Sequence, residues 1–173
     1  MLKTKRLSLV PLSKEYAKDL IRIWGDYEVI KYTYNALTKT QEECLEKLIN
    51  WLPLHRDNSG PNKFGILLNN DLIGIAGFPV IDNNNFKCGF FYQISREYWG
   101  NGYGFEVANA LLNYILKKHP NAVVIADAVI YNPASIKILT KLGFSQTCIE
   151  ENGFKNNGME LDIVHFELNN CMK

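Results

Sequence analysis

The sequence predicts a mixed α/β (α+β) protein, with about seven strands in a mostly antiparallel sheet and about four flanking helices. Strand-period runs between Phe64 and Ile94 are joined by short polar turns, the arrangement of antiparallel hairpins. A strand-like run at Phe86–Ile94, a glycine turn, a helical stripe and the apolar run Ala122–Ile130 then follow, implying a right-handed crossover with parallel pairing. With 173 residues, the chain 1–173 is expected to be one domain with a substantial core.

The elements follow in order. Leu7 and Leu9 alternate with polar residues up to Pro11, a short strand, and Ser13 is the candidate N-cap of a helix over about Lys14–Trp24. Asp26–Tyr34 has no clean period and reads as irregular, or as a short helical turn over a pocket. Thr40 and Glu43 fit a capping box, followed by a helix with Leu45, Leu48, Ile49 and Leu52 on one face that stops by Pro53.

Two strands, Phe64–Leu68 and Leu72–Val80, flank the turn Asn69-Asn70-Asp71, and Asp82–Asn85 turns into Phe86–Ile94. Val107, Ala108, Leu111, Leu112 and Ile115 form a helical stripe ending in Lys117 and Lys118, where positive charge suits the dipole. Ala122–Ile130 is a buried strand, Pro133–Leu142 a helix closed by Gly143, and Ser145–Glu151 and Met159–Leu168 are the last strands.

Composition excludes several functions. Lys+Arg 19 against Asp+Glu 18 leaves a formal charge of +1, which provides no footprint for nucleic acid. Cys44, Cys88, Cys148 and Cys171 are scattered, as are His55, His119 and His165, so neither a zinc site nor a disulfide framework is expected. The longest apolar stretch, Leu72–Ile81, is far short of a membrane span, and a cytoplasmic protein with reduced cysteines is the expectation.

Gly100, Gly102 and Gly104 sit between strand and helix, where free first-turn amides and the dipole suit a phosphate. A P-loop would need Lys-Ser or Lys-Thr after these glycines, and a dinucleotide fingerprint beginning at Gly100 would need glycine where Phe105 stands. Neither pattern fits.

The order of elements, with Trp99-Gly-Asn-Gly102-Tyr-Gly104 and Asn132-Pro-Ala-Ser135…Lys141-Leu-Gly-Phe144, resembles the GNAT superfamily of acyl-CoA-dependent N-acyltransferases. The first stretch matches the family's [Q/R]-x-x-G-x-[G/A] motif and the second its N-x-x-S…K-x-G-F segment. The resemblance spans Leu7–Leu168 and is closest to the RimJ/RimL-like branch. Trp99 replaces the usual Gln or Arg, and Leu139 stands where many members carry a tyrosine.

The resemblance implies a splayed parallel strand pair holding acetyl-CoA, with the pantetheine against Phe91, Tyr92, Gln93 and Ile94. It places the pyrophosphate on the turn formed by Trp99, Gly100, Asn101, Gly102, Tyr103, Gly104 and Phe105. Asn132 would hold the cofactor or order its loop, and Ser135 would donate to the departing sulfur. No metal is implied.

The implied reaction is direct acetyl transfer to a primary amine, either a protein N-terminal α-amine or a small-molecule amine. An α-amine is roughly a tenth neutral at pH 7 and a lysine well under a thousandth, which favours the former or a small amine. Glu28 is the best candidate base, against the plainer reading of a surface charge. Partners are then acetyl-CoA and the amine, with a monomer or homodimer expected. The competing reading is a non-catalytic acyl-CoA-binding or ribosome-associated module. Cys88, beside the cofactor strand, reads as a small buried hydrophobe rather than a nucleophile.

Overall fold

The computed structural model describes residues 1–156 and 158–169; Cys171 lies outside them. Two five-stranded sheets are built from β1 (Leu2–Lys3), β2 (Ser8–Pro11), β3 (Lys63–Leu68), β4 (Asp71–Gly77), β5 (Val80–Asp82), β6 (Lys87–Gly89), β7 (Phe91–Ile94), β8 (Val123–Val129), β9 (Ser145–Asn156) and β10 (Met159–Asn169). One runs β1-β2-β3-β4-β7 and the other β5-β6-β8-β10-β9. All pairings are antiparallel except β6 with β8, where Gly89 is in register with Ile125.

The helices are α1 (Ala17–Trp24), α2 (Tyr27–Ile30), α3 (Gln41–Trp51), α4 (Tyr103–Lys118) and α5 (Pro133–Lys141). Strand β4 is buried on both faces. Leu72 and Ile75 join α1 and α3 in one hydrophobic cluster, while Ile73 and Ala76 join the stripe of α4, Val107 to Ile115, in another. Sheet one is therefore covered on both sides, and the second cluster continues through β8 to Leu139 of α5.

Three sequence expectations hold closely. The Asn69-Asn70 turn has both residues at positive φ, 51° and 72°, matching the twist of a tight hairpin. The α4 stripe is buried throughout, and the strand–helix–strand crossover ends in parallel pairing.

Other expectations are corrected. The runs Leu72–Val80 and Phe86–Ile94 are each broken and the short β1 is added, giving ten strands among the described residues rather than about seven. Pro79, which cannot donate to a ladder, separates β4 from β5. Ser13 makes no side-chain cap, and the first helix begins as a 3₁₀ turn, Lys14–Tyr16. Thr40 Oγ1 caps the Glu43 N–H at 3.2 Å, but the Glu43 carboxylate accepts from Lys39 N rather than Thr40 N. Helix α3 buries Cys44 and Leu48 and leaves Leu45 and Ile49 exposed, because its contact stripe lies against α1.

Candidate active site

The break at Phe90 creates the site. Residues 87–89 pair with β8, and residues 91–94 leave for β4 in the other sheet, so two strands that start parallel diverge. A cavity of about 470 Å³ opens in the fork, between Phe90–Gln93 on one side and Ile125–Val129 on the other.

Strand β7 ends its sheet at this fork. Ser95 N–H donates to Ile73 O at 2.8 Å, which makes the register pair Gly74/Ile94 a non-hydrogen-bonded one. By alternation, Tyr92 and Ile94 turn their N–H and C=O groups away from β4; Tyr92 lines the cavity, whereas Ile94 is not among its lining residues. The Ile94 carbonyl is taken by the Trp99 indole N–H at 2.7 Å. Trp99 thus ties the glycine turn to the strand, a role in which neither Gln nor Arg would present the same single donor.

Gly100 and Gly102 have φ of 77° and 78°, the left-handed region. Gly102 is the N-cap of α4 and has no side chain to cap it, which leaves the amides of Tyr103, Gly104 and Phe105 for a ligand. Gly104 serves a different need. A Cβ there would lie 3.3 Å from Ile138 Cδ1 and 3.6 Å from Tyr92 Cε2, so glycine lets α4, α5 and β7 converge.

Asn132 and Ser135 both line the cavity. Asn132 Oδ1 accepts from Ser135 N–H at 3.2 Å, capping α5 and fixing where the Ser135 side chain starts. Phe91, Tyr92 and Gln93 line the same space. Glu28 does not: it lies on α2, 2.8 Å from Lys31 Nζ, outside the cavity lining.

The Asp26–Tyr34 segment forms α2, with Asp26 as its cap, and delivers Tyr32, Thr33 and Tyr34 to the cavity. Trp24, Trp51 and Phe91 form an aromatic wall, with ring centroids 6.2 and 5.5 Å apart in sequence. Trp24 Nε1 donates to Gln93 Oε1 at 3.2 Å. Cys88 is buried, and burial pushes its thiol up to about 12, so no thiolate is available there.

Two features of the site lay outside the sequence expectations. Asp127, the one charged residue in the apolar run Ala122–Ile130, lines the cavity, and that isolation was the signal for it. Its carboxylate lies 2.7 Å from His165 Nδ1, and Glu150 lies 3.1 Å from Nε2. Burial works against the charged imidazole, but the two carboxylates outweigh it and raise the His165 pKa. A carboxylate at each ring nitrogen favours the protonated imidazole, so His165 bridges Asp127 and Glu150. The second feature is the Tyr92 hydroxyl, which is buried and has no hydrogen-bond partner.

The fork offers an extended ligand a strand edge at Tyr92 and an incoming amine the Asp127 carboxylate, while the free amides of Tyr103, Gly104 and Phe105 lie at the start of α4, outside the cavity lining. Among the described residues, no group of three or more His, Cys, Asp or Glu side chains is placed to hold a metal. No helix among them is long and apolar enough to cross a membrane.

A family profile described as "Acetyltransferase (GNAT) domain" matches residues 6–145. The uncharacterized N-acetyltransferase p20 of Bacillus licheniformis is 30% identical over 169 residues, covering 95% of this chain and 93% of that protein. The chain therefore belongs to the GNAT acetyltransferase family, and is an N-acetyltransferase by class. Two solved structures share the fold at low identity. One is RimL, a ribosomal L7/L12 α-N-protein acetyltransferase in complex with coenzyme A (TM-score 0.83, 16% identity, 96% and 95% of the two chains). The other is spermidine N-acetyltransferase from Vibrio cholerae with CoA and spermine (TM-score 0.82, 17% identity, 96% of each chain).

Proposed function

We propose that residues 1–173 act as one domain that transfers an acetyl group from acetyl-CoA directly to a primary amine, in the manner of the RimJ/RimL-like branch. The fork at Phe90 carries this reading, because it leaves the outward backbone groups of Tyr92 and the Ile94 N–H with no strand to pair them, while the Ile94 carbonyl is held by Trp99. The pantetheine arm supplies that missing strand, as an added peptide strand would. The amides of Tyr103, Gly104 and Phe105 accept the pyrophosphate, with Gly102 keeping their approach clear. Directed bonds to a charged group contribute roughly 1.5–3 kcal/mol each, against about 0.3–1 for the dipole at an exposed helix end. The amides dominate.

Acetyl-CoA supplies an activated acyl carbon. The amine nitrogen attacks that carbon, the Ile94 N–H stabilises the oxyanion, and Ser135 donates to the leaving sulfur. Asp127 receives the acceptor as its ammonium, and the proton leaves through water, since the pairing of Glu28 with Lys31 keeps that carboxylate out of the cavity. The structural relatives, RimL acting on a protein α-amine and the Vibrio cholerae enzyme on spermidine, bracket the acceptor classes.

The test is a panel of peptide N-termini, polyamines and lysine side chains, scored by acetyl mass gain on the amine and release of CoA thiol. An α-amine or small amine is expected to turn over well ahead of a lysine side chain. Binding of acetyl-CoA with no turnover on any amine would replace this reading with a non-catalytic acyl-CoA-binding module.

A further inference from the structure

One face of sheet two contributes a wall of the cavity. Val129 is in register with Ile163 and Asp127 with His165, so strand alternation puts Ile125, Asp127, Val129, Ile163 and His165 on the same face. The opposite face, with Val124, Ala126, Val164 and Phe166, packs into the hydrophobic cluster shared with α4 and Leu139 of α5. Ile125, Asp127, Val129 and Ile163 all line the cavity, together with Tyr32 and Tyr34. Asp127 is the charged group that this face brings to the cavity.

His165 holds Asp127 in place and sets the charge around it. Nδ1 lies 2.7 Å from Asp127 Oδ1 and Nε2 lies 3.1 Å from Glu150 Oε2, so one ring joins a carboxylate of the cavity lining to one outside it. The imidazole is 28% exposed, against 53% for Asp127 and 58% for Glu150, which makes the carboxylates the groups open to a ligand. Among the described residues neither carboxylate pairs with a Lys or Arg, and His165 is their common cation. Burial works against the charged ring, and the two carboxylates overcome it, so the cation persists to a higher pH than in an ordinary imidazole. The neighbouring groups are Tyr34, whose pKa burial and these two carboxylates raise, Cys148 opposite His165 on β9, and Glu167 further along the same face of β10.

We propose that His165 determines acceptor specificity: its cation leaves the Asp127–Glu150 pair one net negative charge, which suits an acceptor bringing a single ammonium and works against a polyamine. This rests on the function proposed above, in which Asp127 receives the acceptor as its ammonium. Two carboxylates alone would hold two ammonium groups of a linear polyamine. With the imidazolium between them, the second ammonium meets a fixed positive charge, and discrimination comes from that repulsion. His165 acts through Asp127 and Glu150 and is a positioning residue, not a catalytic one.

The test sets two acceptors in competition for acetyl-CoA on the intact chain. One is an amidated peptide with uncharged side chains, whose α-amine is its single positive charge, and the other is a linear triamine. Counting both acetylated products by mass gives the ratio of their kcat/KM. Wild type is expected to favour the peptide. His165→Gln should move the ratio about threefold to fivefold towards the triamine, and Glu150→Gln should move it by a similar factor towards the peptide. Both variants break the same bridge, so a merely structural role would move them in the same direction. Glu150 is largely exposed, so its variant reads the sign even where His165→Gln folds poorly. The difference between His165→Gln and wild type should also shrink from pH 6 to pH 9, as the wild-type imidazole gives up its proton; comparison with wild type at each pH cancels the ionisation of the amines. Shifts of the same sign, a ratio unmoved in either variant, an effect independent of pH, or a wild type that favours the triamine or rejects the peptide would overturn the proposal and leave acetyl transfer standing. Failure of wild type to acetylate any amine of the panel would remove the proposed function and this inference with it.

Discussion

Arg6 and Glu106 form a close ion pair across 100 residues of sequence: both Nε and Nη2 of the guanidinium lie 2.7 Å from Oε2 of the carboxylate. The other carboxylate oxygen accepts from Arg6 N at 2.9 Å and from Thr4 Oγ1 at 2.5 Å. Arg6 also donates through Nη1 to Asn101 O at 3.0 Å, and its Cζ lies 4.3 Å over the Tyr103 ring. One side chain thereby fastens the segment before β2 to both sides of the glycine turn. Burial pushes the Glu106 pKa up, but the bonds from Thr4 and Arg6 outweigh it and hold it below the usual range.

Arg6→Met should therefore loosen the turn more than the fold. Arg6 is partly exposed, and pairs of that kind contribute up to about 1 kcal/mol, so the expected loss of CoA affinity is at most about fivefold. The melting temperature should fall by only a few degrees. Calorimetric titration beside a thermal melt checks both, and a large melting shift with unchanged CoA affinity would assign Arg6 to the fold alone.

Gly102→Val should weaken CoA binding at least tenfold while the protein still folds. Valine at φ 78° is strained by about 1–2 kcal/mol or more, and the strain falls on the turn that presents the amides. No protein atom closer than Arg6 Nη2, at 3.7 Å, obstructs the added Cβ, so packing is spared. Circular dichroism with a CoA titration separates the two effects.

Ser135→Ala should lower turnover more than acetyl-CoA affinity, by about tenfold to a hundredfold in kcat. The Asn132 cap uses the Ser135 backbone N–H, which alanine retains, so α5 should keep its position. Steady-state kinetics against a binding titration reads the split, and wild-type turnover would take Ser135 out of the mechanism.

Asp57 gives a pH signature distant from the chemistry. It is buried, which pushes its pKa up, but bonds from Lys118 at 2.8 Å, Ser59 and His119 at 3.2 Å hold it at about 2. Because the folded value lies below the unfolded value near 3.9, the stabilisation of roughly 2 kcal/mol is complete above about pH 5 and is lost as pH falls towards 2. Asp57→Asn should be less stable than wild type at pH 7, with the difference closing in acid. Denaturant melts from pH 7 down to pH 2 test this, and a gap independent of pH would contradict the assignment.

Much of this architecture is legible in residue pattern. The positive-φ Asn69-Asn70 turn, the buried α4 stripe and the apolar Ala122–Ile130 run each declare themselves locally, and with the glycines they define the crossover that carries the site. What pattern cannot register is which neighbour a strand chooses. Phe86–Ile94 is uniformly strand-like, yet β6 and β7 pair in different sheets, and the fork exists only because of that choice. The Arg6 clamp and the His165 bridge between Asp127 and Glu150 are hidden for a related reason: tertiary pairing, not periodicity, brings them together. Helix α3 shows a smaller shift: Leu48 and Leu52 of the expected face meet the cluster, but Cys44 is buried in place of Leu45, and Ile49 is exposed.

The central claim is that acetyl-CoA lies in the fork at Phe90 and gives up its acetyl group to an amine there. Its most direct test is a titration of the wild-type chain and Gly102→Val with acetyl-CoA, followed by thiol release on adding the best amine of the panel. Saturable binding by wild type, severely weakened in Gly102→Val, with thiol release matched by acetylated amine, is the expected result. Absence of acetyl-CoA binding by wild type, or equal binding by both proteins, would contradict it.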